Sequence, residues 1–536
     1  MTDSPMTARD VKSRLTNALP GVLLGLTFVF FMIRARHGIK FLPFVDESEH
    51  LLGGKMLNAG AVLYRDFITQ HGPVTFMLTQ AYGALLGWKH PNSARWISAL
   101  LALGATACVG TSASLTSRAS RSWASALFIG LFTSIWLVQA IYLVNYHTIG
   151  GFALAASLAL FILPLWLGAP VNTARATSAG VCLALLPATA YSFAPATVVL
   201  GISTLWAAWR SRQTRLARAF VAGFVAAVLA VLLWLLRLGD LIGYFAFHFA
   251  ENQFVFSKFN GLSWRYFAAS QYPSWAPDAR VHALGLLSWA LSCVLMLALD
   301  LRGARPARGM AGPILLGAAG MIALCARGGT GFQDGSFLLG SMAALAVAAG
   351  TAMARFLPAP RALGLTSATL GVALCIAAAE LSNRGALYTP FGMTRAEAVS
   401  LPYGFYNLGT AGNPISLRIR ALTRPDETIL AVPYAPYVYL EANRPPMRRY
   451  FYYLPWDAAY AKTPYFGQTH DLCEDLPKAP PVVIYYDKWV VWNRWEMATY
   501  MPCFITYLKA NYTQQPDLPN LYVRNDRQPH EPPPNR

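Results

Sequence analysis

The sequence predicts an α-helical polytopic membrane protein of about eleven transmembrane helices. Interfacial helices in the first external loop and a small α/β external domain at the C-terminal end complete the expected fold. Three observations carry this reading. The 536 residues are 55% hydrophobic and only 13% charged, with a mean hydropathy of +0.38, whereas soluble domains carry about 25% charge. Apolar runs of 14 to 22 residues recur to about residue 380 and then stop. Finally, the formal net charge of +18, from 43 Lys+Arg against 25 Asp+Glu, gathers in alternate loops between those runs.

The expected spans are 18–33, 96–115, 123–144, 148–167, 177–190, 192–208, 218–237, 281–301, 310–326, 336–355 and 361–379. Most approach the length that about 30 Å of hydrocarbon demands of a helix. The run 19–33 follows Arg9, Lys12 and Arg14, but no small-residue cleavage site follows it, so it reads as an uncleaved first span. Segment 73–88 is apolar but short, begins at Pro73 and carries Thr75, Thr79 and Gln80. If it does not span, the loops on the N-terminal side of the membrane hold 15 Lys+Arg and 3 acids with their flanking residues. The positive-inside rule then places the N-terminus in the cytoplasm, makes 73–88 interfacial or re-entrant, and leaves the C-terminal part outside. The excess charge is thus topological, and no coherent nucleic-acid surface remains.

Residues 1–379 form the expected membrane domain, 380–525 an external soluble domain, and 526–536 a disordered tail. Within the external part, TILAVP (428–433), YVYLE (437–441) and PVVIYY (481–486) read as short strands, and 493–511 as a helix. Cys473 and Cys503 are the only cysteines there, and an oxidising compartment predicts a disulfide between them. The aromatic run 450–456 and Trp489, Trp492 and Trp495 suit either sugar stacking or a core and membrane-contacting underside.

Ionisable residues at a membrane edge are costly to place and are functional candidates by default. They concentrate in the first external loop, 34–95, where Asp46, Glu47 and Glu49 stand within four residues and are followed by Tyr64, Arg65, Asp66 and His71. A capping box of Asp46 with Glu49 is the plain alternative for that pair, but it leaves Glu47 and the later residues unexplained. Arg34, Arg36 and Lys40 stand beyond the first span, as lipid-phosphate contacts or as snorkelling edge residues. There is no HExxH, paired CxxC, GxSxG or dinucleotide fingerprint. No cofactor is required and no metal ligands stand out, although a divalent cation is compatible with the acids.

The order of first span, Asp46-Glu47, the small-residue helix GGKMLNAG, Leu63-Tyr64-Arg65-Asp66 and Gln70-His71-Gly72-Pro73 resembles the first loop of GT-C glycosyltransferases. The nearest pattern is that of the protein O-mannosyltransferase and lipid A aminoarabinose transferase group. The resemblance is strong over 18–95 and extends to the arrangement of the membrane half. It implies a polyprenyl-phosphate-linked sugar donor and an acceptor hydroxyl on a glycan, lipid or protein, in a bacterial inner membrane. Asp46 takes the place of the base. Because phosphate leaves as a stable anion, no second carboxylic acid is needed, unlike in a glycosidase, and inversion at the anomeric carbon is expected. Glu47 would orient the acceptor, tune Asp46 through like-charge repulsion or help hold a metal. His71 stands where relatives carry a basic residue or His, and with Arg65 it is a candidate for the departing phosphate. Tyr64 and Asp66 accompany them as substrate-binding candidates.

In a second external loop, Tyr142 to His147, Asn145 and His147 replace the carboxylate some relatives carry. His147 is a substrate contact or an ordinary helix-end residue. Loop 238–280 suits a lid or a lipid-facing wall, and Arg327 in RGGTGFQDG (327–335) is a further phosphate candidate. The competing functions are a lipid-linked glycan transporter or flippase and a polysaccharide polymerase or ligase. Transporters, however, keep polar residues near the midplane and often repeat internally. Here the ionisable residues cluster at one face and no repeat is seen.

Overall fold

The computed structural model describes residues 8–39, 45–88, 91–133, 143–259, 277–302, 309–325, 338–356 and 414–527. The chain divides into two compact units: Met1–Phe41 with Arg95–Ala230 and Leu262–Ala398, and Leu42–Ala94 with Val231–Gly261 and Val399–Arg536.

The first unit is built of helices joined by short turns, with no strand among its described residues. Among these, five helices are long and apolar enough to cross a membrane: Ser93–Gly110, Tyr146–Trp166, Tyr191–Arg210, Thr214–Leu238 and Leu339–Phe356. From residue 231 on, the fourth of these groups with the second unit. Ala18–Ile33, Leu287–Leu301 and Ala311–Ile322 are shorter apolar helices. The expected span 177–190 coincides with helix Thr173–Thr189, and residues 123–133 of the expected span 123–144 fall in helix Arg118–Thr133. The span expected at 361–379 and residues 134–142 lie outside the described residues, while Leu143 and Val144 are not helical.

Close approach of backbones replaces hydrophobic contrast as the packing device between such helices. Gly180 faces Phe220 backbone, Gly223 faces Thr177 backbone, and a Cβ on either glycine would run into the opposing chain. Thr177 Oγ1 also donates to Ala219 O at 3.2 Å across the same seam. Away from such seams the apolar side chains face outward. Only 28% of the apolar window in Thr214–Leu238 is buried, and Val22, Val29 and Leu229 are more than half exposed, as a lipid-facing surface requires.

The second unit joins helical and sheet-forming segments. Helix Val45–Asn58 packs on helix Pro73–Leu86. The latter has 14 residues, about 21 Å at 1.5 Å per residue, well short of the hydrocarbon thickness. Gly53 and Gly54 make the contact possible, because side chains there would strike Phe76 and Thr79. Thr79 Oγ1 donates across the seam to His50 O at 3.0 Å.

The sheet is mixed, in the order β1-β2-β4-β3, with β1 Ile429–Val432, β2 Val483–Tyr486, β3 Tyr512–Gln515 and β4 Leu518–Arg524. β1 and β2 run parallel, and β4 is antiparallel to both β2 and β3. Two expectations need correction. The YVYLE run is a helix, Tyr437–Ala442, closed by Asn443 in the left-handed region. It buries Tyr437, Val438, Tyr439 and Leu440 on all sides, so burial overrides the β preference of its residues. The helix expected at 493–511 is two, Met497–Tyr500 and Pro502–Asn511, broken at Met501, where the following proline disfavours the helical conformation. A disulfide joins Cys473 and Cys503, with 6.1 Å between Cα atoms. Arg527 pairs with Glu427, and residues from 528 on lie outside the described set.

Candidate functional site

The cluster lies wholly within the second unit. Asp46, Glu49 and His50 recur at the three- and four-residue spacing that puts side chains on one helix face, and Glu47 beside Asp46 is fully buried. The capping-box alternative gives way, since Asp46 and Glu49 both lie inside the described helix and both accept from one hydroxyl. Tyr434 Oη donates to Asp46 Oδ1 at 2.9 Å and to Glu49 Oε2 at 2.8 Å. Tyr434 follows β1 directly, with its ring edge-on to Tyr452 at 5.1 Å and stacked at 6.5 Å on Trp489.

The other oxygen of Glu49 faces the loop before Pro73. Thr69 Oγ1 donates to Glu49 Oε1 at 2.6 Å, and His71 Nδ1 lies 2.7 Å from the same atom. With a carboxylate as acceptor, Nδ1 carries the proton. His71 N in turn donates to Thr69 Oγ1 at 3.0 Å. Burial pushes the Glu49 carboxyl up. The charge and hydrogen bond of His71, with smaller contributions from His50 and Thr69, outweigh burial and hold it below the ordinary value. Burial and the nearby Asp46 and Glu49 charges push the Tyr434 hydroxyl well above its usual value, so it stays a donor.

The loop is anchored from both sides. Tyr64, fully buried, donates through its hydroxyl to His71 O at 2.6 Å. Gln70 O accepts from Asn252 Nδ2 at 2.8 Å and lies 3.0 Å from His248 Nδ1. Both partners sit on the π-helical segment Tyr244–Phe256, in the region expected to wall the site. Arg65 instead is exposed and pairs with Asp66 at 3.0 Å. Asp66 also accepts from Val62 N and pairs with Arg448.

Glu49, His50 and His71 each offer one ligand atom, all within 4.8 Å of one another, and could hold a metal ion. The sequence reading had only Glu47 as an alternative metal holder, and gave Glu49 no role beyond its place in the acidic cluster and a cap. Two imidazoles and a carboxylate suit a divalent transition metal with open positions for substrate. Thr69, His50 and Tyr434 were also absent from it. The Glu49/His50 spacing to Asp46 was a visible signal, whereas Tyr434, 388 residues from Asp46, left none.

Two expected residues stand elsewhere. His147 belongs to the first unit, where it is buried against Tyr146 at 3.9 Å. It follows Asn145, which caps helix Tyr146–Ser157 by accepting from Thr148 N at 2.9 Å. Arg327 lies outside the described residues.

No protein-family model matches the chain, and no curated protein matches it in sequence. Solved structures do match in fold. ArnT from Cupriavidus metallidurans in the apo state aligns at 17% identity over 82% of this chain and 90% of its own, with a TM-score of 0.50. The same protein bound to undecaprenyl phosphate gives 17% identity, 80% and 85% coverage and 0.49. The apo Archaeoglobus fulgidus oligosaccharyltransferase gives 14%, 93% and 74%, and 0.47. The chain therefore shares the helical membrane fold of ArnT, with a small mixed sheet near its C-terminus.

Proposed function

We propose that the protein is a membrane glycosyltransferase that moves a sugar from a polyprenyl-phosphate donor to an acceptor hydroxyl on the external face of the inner membrane. The observation that carries this reading is the convergence of Tyr434 and His71 on the buried carboxylate of Glu49, with the same Tyr434 hydroxyl also bonded to Asp46. It sits in a loop whose residue order resembles that of such enzymes, on a fold shared with ArnT.

In the proposed reaction Asp46 accepts the proton of the acceptor hydroxyl. The acceptor oxygen bonds to the anomeric carbon from the face opposite the phosphate. The carbon–oxygen bond to phosphate breaks, its electron pair leaves with the phosphate, and configuration inverts. Tyr434 positions Asp46 for this step. Glu47 has the role of shaping the acid pair's electrostatics, and His71, Arg65, Tyr64 and Asp66 that of forming the donor-binding wall. His147 and Arg327 remain proposed substrate contacts. A cation held by Glu49, His50 and His71 would supply positive charge to an oxygen of the donor phosphate. The membrane domain 1–379 would hold the donor and the base, and the external module 380–525 would supply Tyr434 to the site.

Asp46→Asn tests the reading. Mass spectrometry of envelope glycans, with and without the protein, identifies the product, and purified variant and parent are then compared on it. Transfer is expected to fall about 10²- to 10⁴-fold, the usual contribution of a general base. An unchanged rate would remove Asp46 from the mechanism. Flux of a lipid-linked glycan without covalent product would favour the transporter reading instead.

A further inference from the structure

Beside the buried cluster, the second unit carries an open cavity of about 440 Å³ lined by Arg65, Arg448, Arg449 and Lys478, with Asp475. Its chemistry is unlike that of the cluster. The side chains of Arg65, Arg448 and Lys478 are 58%, 77% and 67% exposed. Two carboxylates face four cations and leave two positive charges over: Asp66 is shared by Arg65 at 3.0 Å and Arg448 at 3.2 Å, and Asp475 takes Lys478 at 3.1 Å. A guanidinium has five donors, so these contacts leave most of them available.

The cavity is built by backbone. Arg449 N donates to Asp66 O at 2.9 Å, and Ile68 N donates to Arg449 O at 3.4 Å, so the two arginine-bearing segments are zipped together. Arg449 itself is held at φ 75°, a left-handed conformation costly for a side chain of this size. Strain of this kind persists where the surroundings over-determine it, and it marks places with a task. Arg449 Nη2 donates to Thr469 O at 2.7 Å. Its Nε is buried without a hydrogen-bond partner among the described residues, an expensive state for a charged donor.

We propose that this cavity is a binding site for a phosphate-class oxyanion, gripped by the forks of Arg65, Arg448 and Arg449 with Lys478 as a supporting point charge. Planar guanidinium forks match tetrahedral oxyanions in bidentate fashion, and several together favour a multiply charged group over a single carboxylate. The phosphate belongs either to a soluble molecule or to a lipid headgroup.

The test is calorimetric titration of inorganic pyrophosphate into the full chain in phosphatidylcholine nanodiscs, repeated with nanodiscs containing phosphatidic acid. Saturable binding is expected in the first, weakening as salt rises. Binding retained with phosphatidic acid marks a soluble ligand, and binding lost by competition marks a headgroup. Arg448→Glu is expected to weaken pyrophosphate binding tenfold or more, since one charge-assisted hydrogen bond is worth about 1.5–3 kcal/mol. Arg448→Lys, which keeps the charge but loses the fork, should weaken it less. An unchanged thermal midpoint in both variants excludes misfolding as the cause. Absence of saturable binding in phosphatidylcholine, or equal binding by Arg448→Glu and the parent, overturns the proposal. In setting Arg65 beside a phosphate the proposal rests on the proposed function, and because pyrophosphate binding rather than glycosyl transfer is the readout, its failure is distinguishable from a failure of that function.

Discussion

The hydroxyl of Tyr434 has one proton and two carboxylates to serve, Asp46 at 2.9 Å and Glu49 at 2.8 Å. A donor shared in this way favours the ionised form of both acids. Removing it takes that preference away. Tyr434→Phe is therefore expected to move the acidic limb of the pH–rate profile to higher pH, with a smaller effect on the plateau. A limb that stays in place would deny Tyr434 its positioning role. Residues such as Asp46 and His71 were legible in the sequence because clustered charge at a membrane edge is conspicuous. Tyr434 was not, because its importance comes from a tertiary contact, and nothing local distinguishes it from the other tyrosines of the C-terminal segment.

Among elements, the turn into helix Pro455–Lys462 carries an unusual load. Asp457 accepts from Leu454 N at 2.7 Å, yet burial pushes its carboxyl up to about 8 despite that bond. Burial, with the charge of Asp457 adding, also raises Glu251 well above the carboxylate range. His470 lies 3.9 Å from Asp457, but burial and the charge of Arg449 lower it to about 3. At neutral pH both are thus uncharged and do not form an ion pair. A raised acid stabilises the fold fully below its unfolded pKa, about 3.9, and loses that contribution as pH rises toward 8. The thermal midpoint should accordingly fall between pH 5 and pH 8, and Asp457→Asn, which keeps an oxygen for Leu454 N, should flatten the slope. An equally steep profile in the variant would count against the buried proton. The apolar helices were legible for the opposite reason: their signal is composition summed over many residues. The Tyr437–Ala442 helix was misread because six residues of β-prone type carry too little local signal to compete with all-round burial.

For the whole molecule, the charge distribution makes a prediction independent of the site. With 15 Lys+Arg and 3 acids on the loops expected on one side, the positive-inside rule predicts a cytoplasmic N-terminus and a C-terminal module on the other face. Alkaline phosphatase fused after residue 527 should be active, and a green fluorescent reporter at the same point dark. The reverse pattern would turn the proposed topology over and move the chemistry to the cytoplasmic side.

The backbone zipper between Asp66 and Arg449 also sets a clock. Its two strands are separated by some 380 residues of chain, and at about 5–20 residues per second the ribosome needs about 20–80 s to cover that distance. Throughout that interval the loop bearing Tyr64, Thr69 and His71 is held by Tyr64, His248 and Asn252. A nascent chain that has already inserted its helices therefore still lacks the backbone pairing that closes the loop against the C-terminal segment, and truncation before Arg449 removes that pairing while leaving the bonds of Glu49 to Thr69 and His71 within reach.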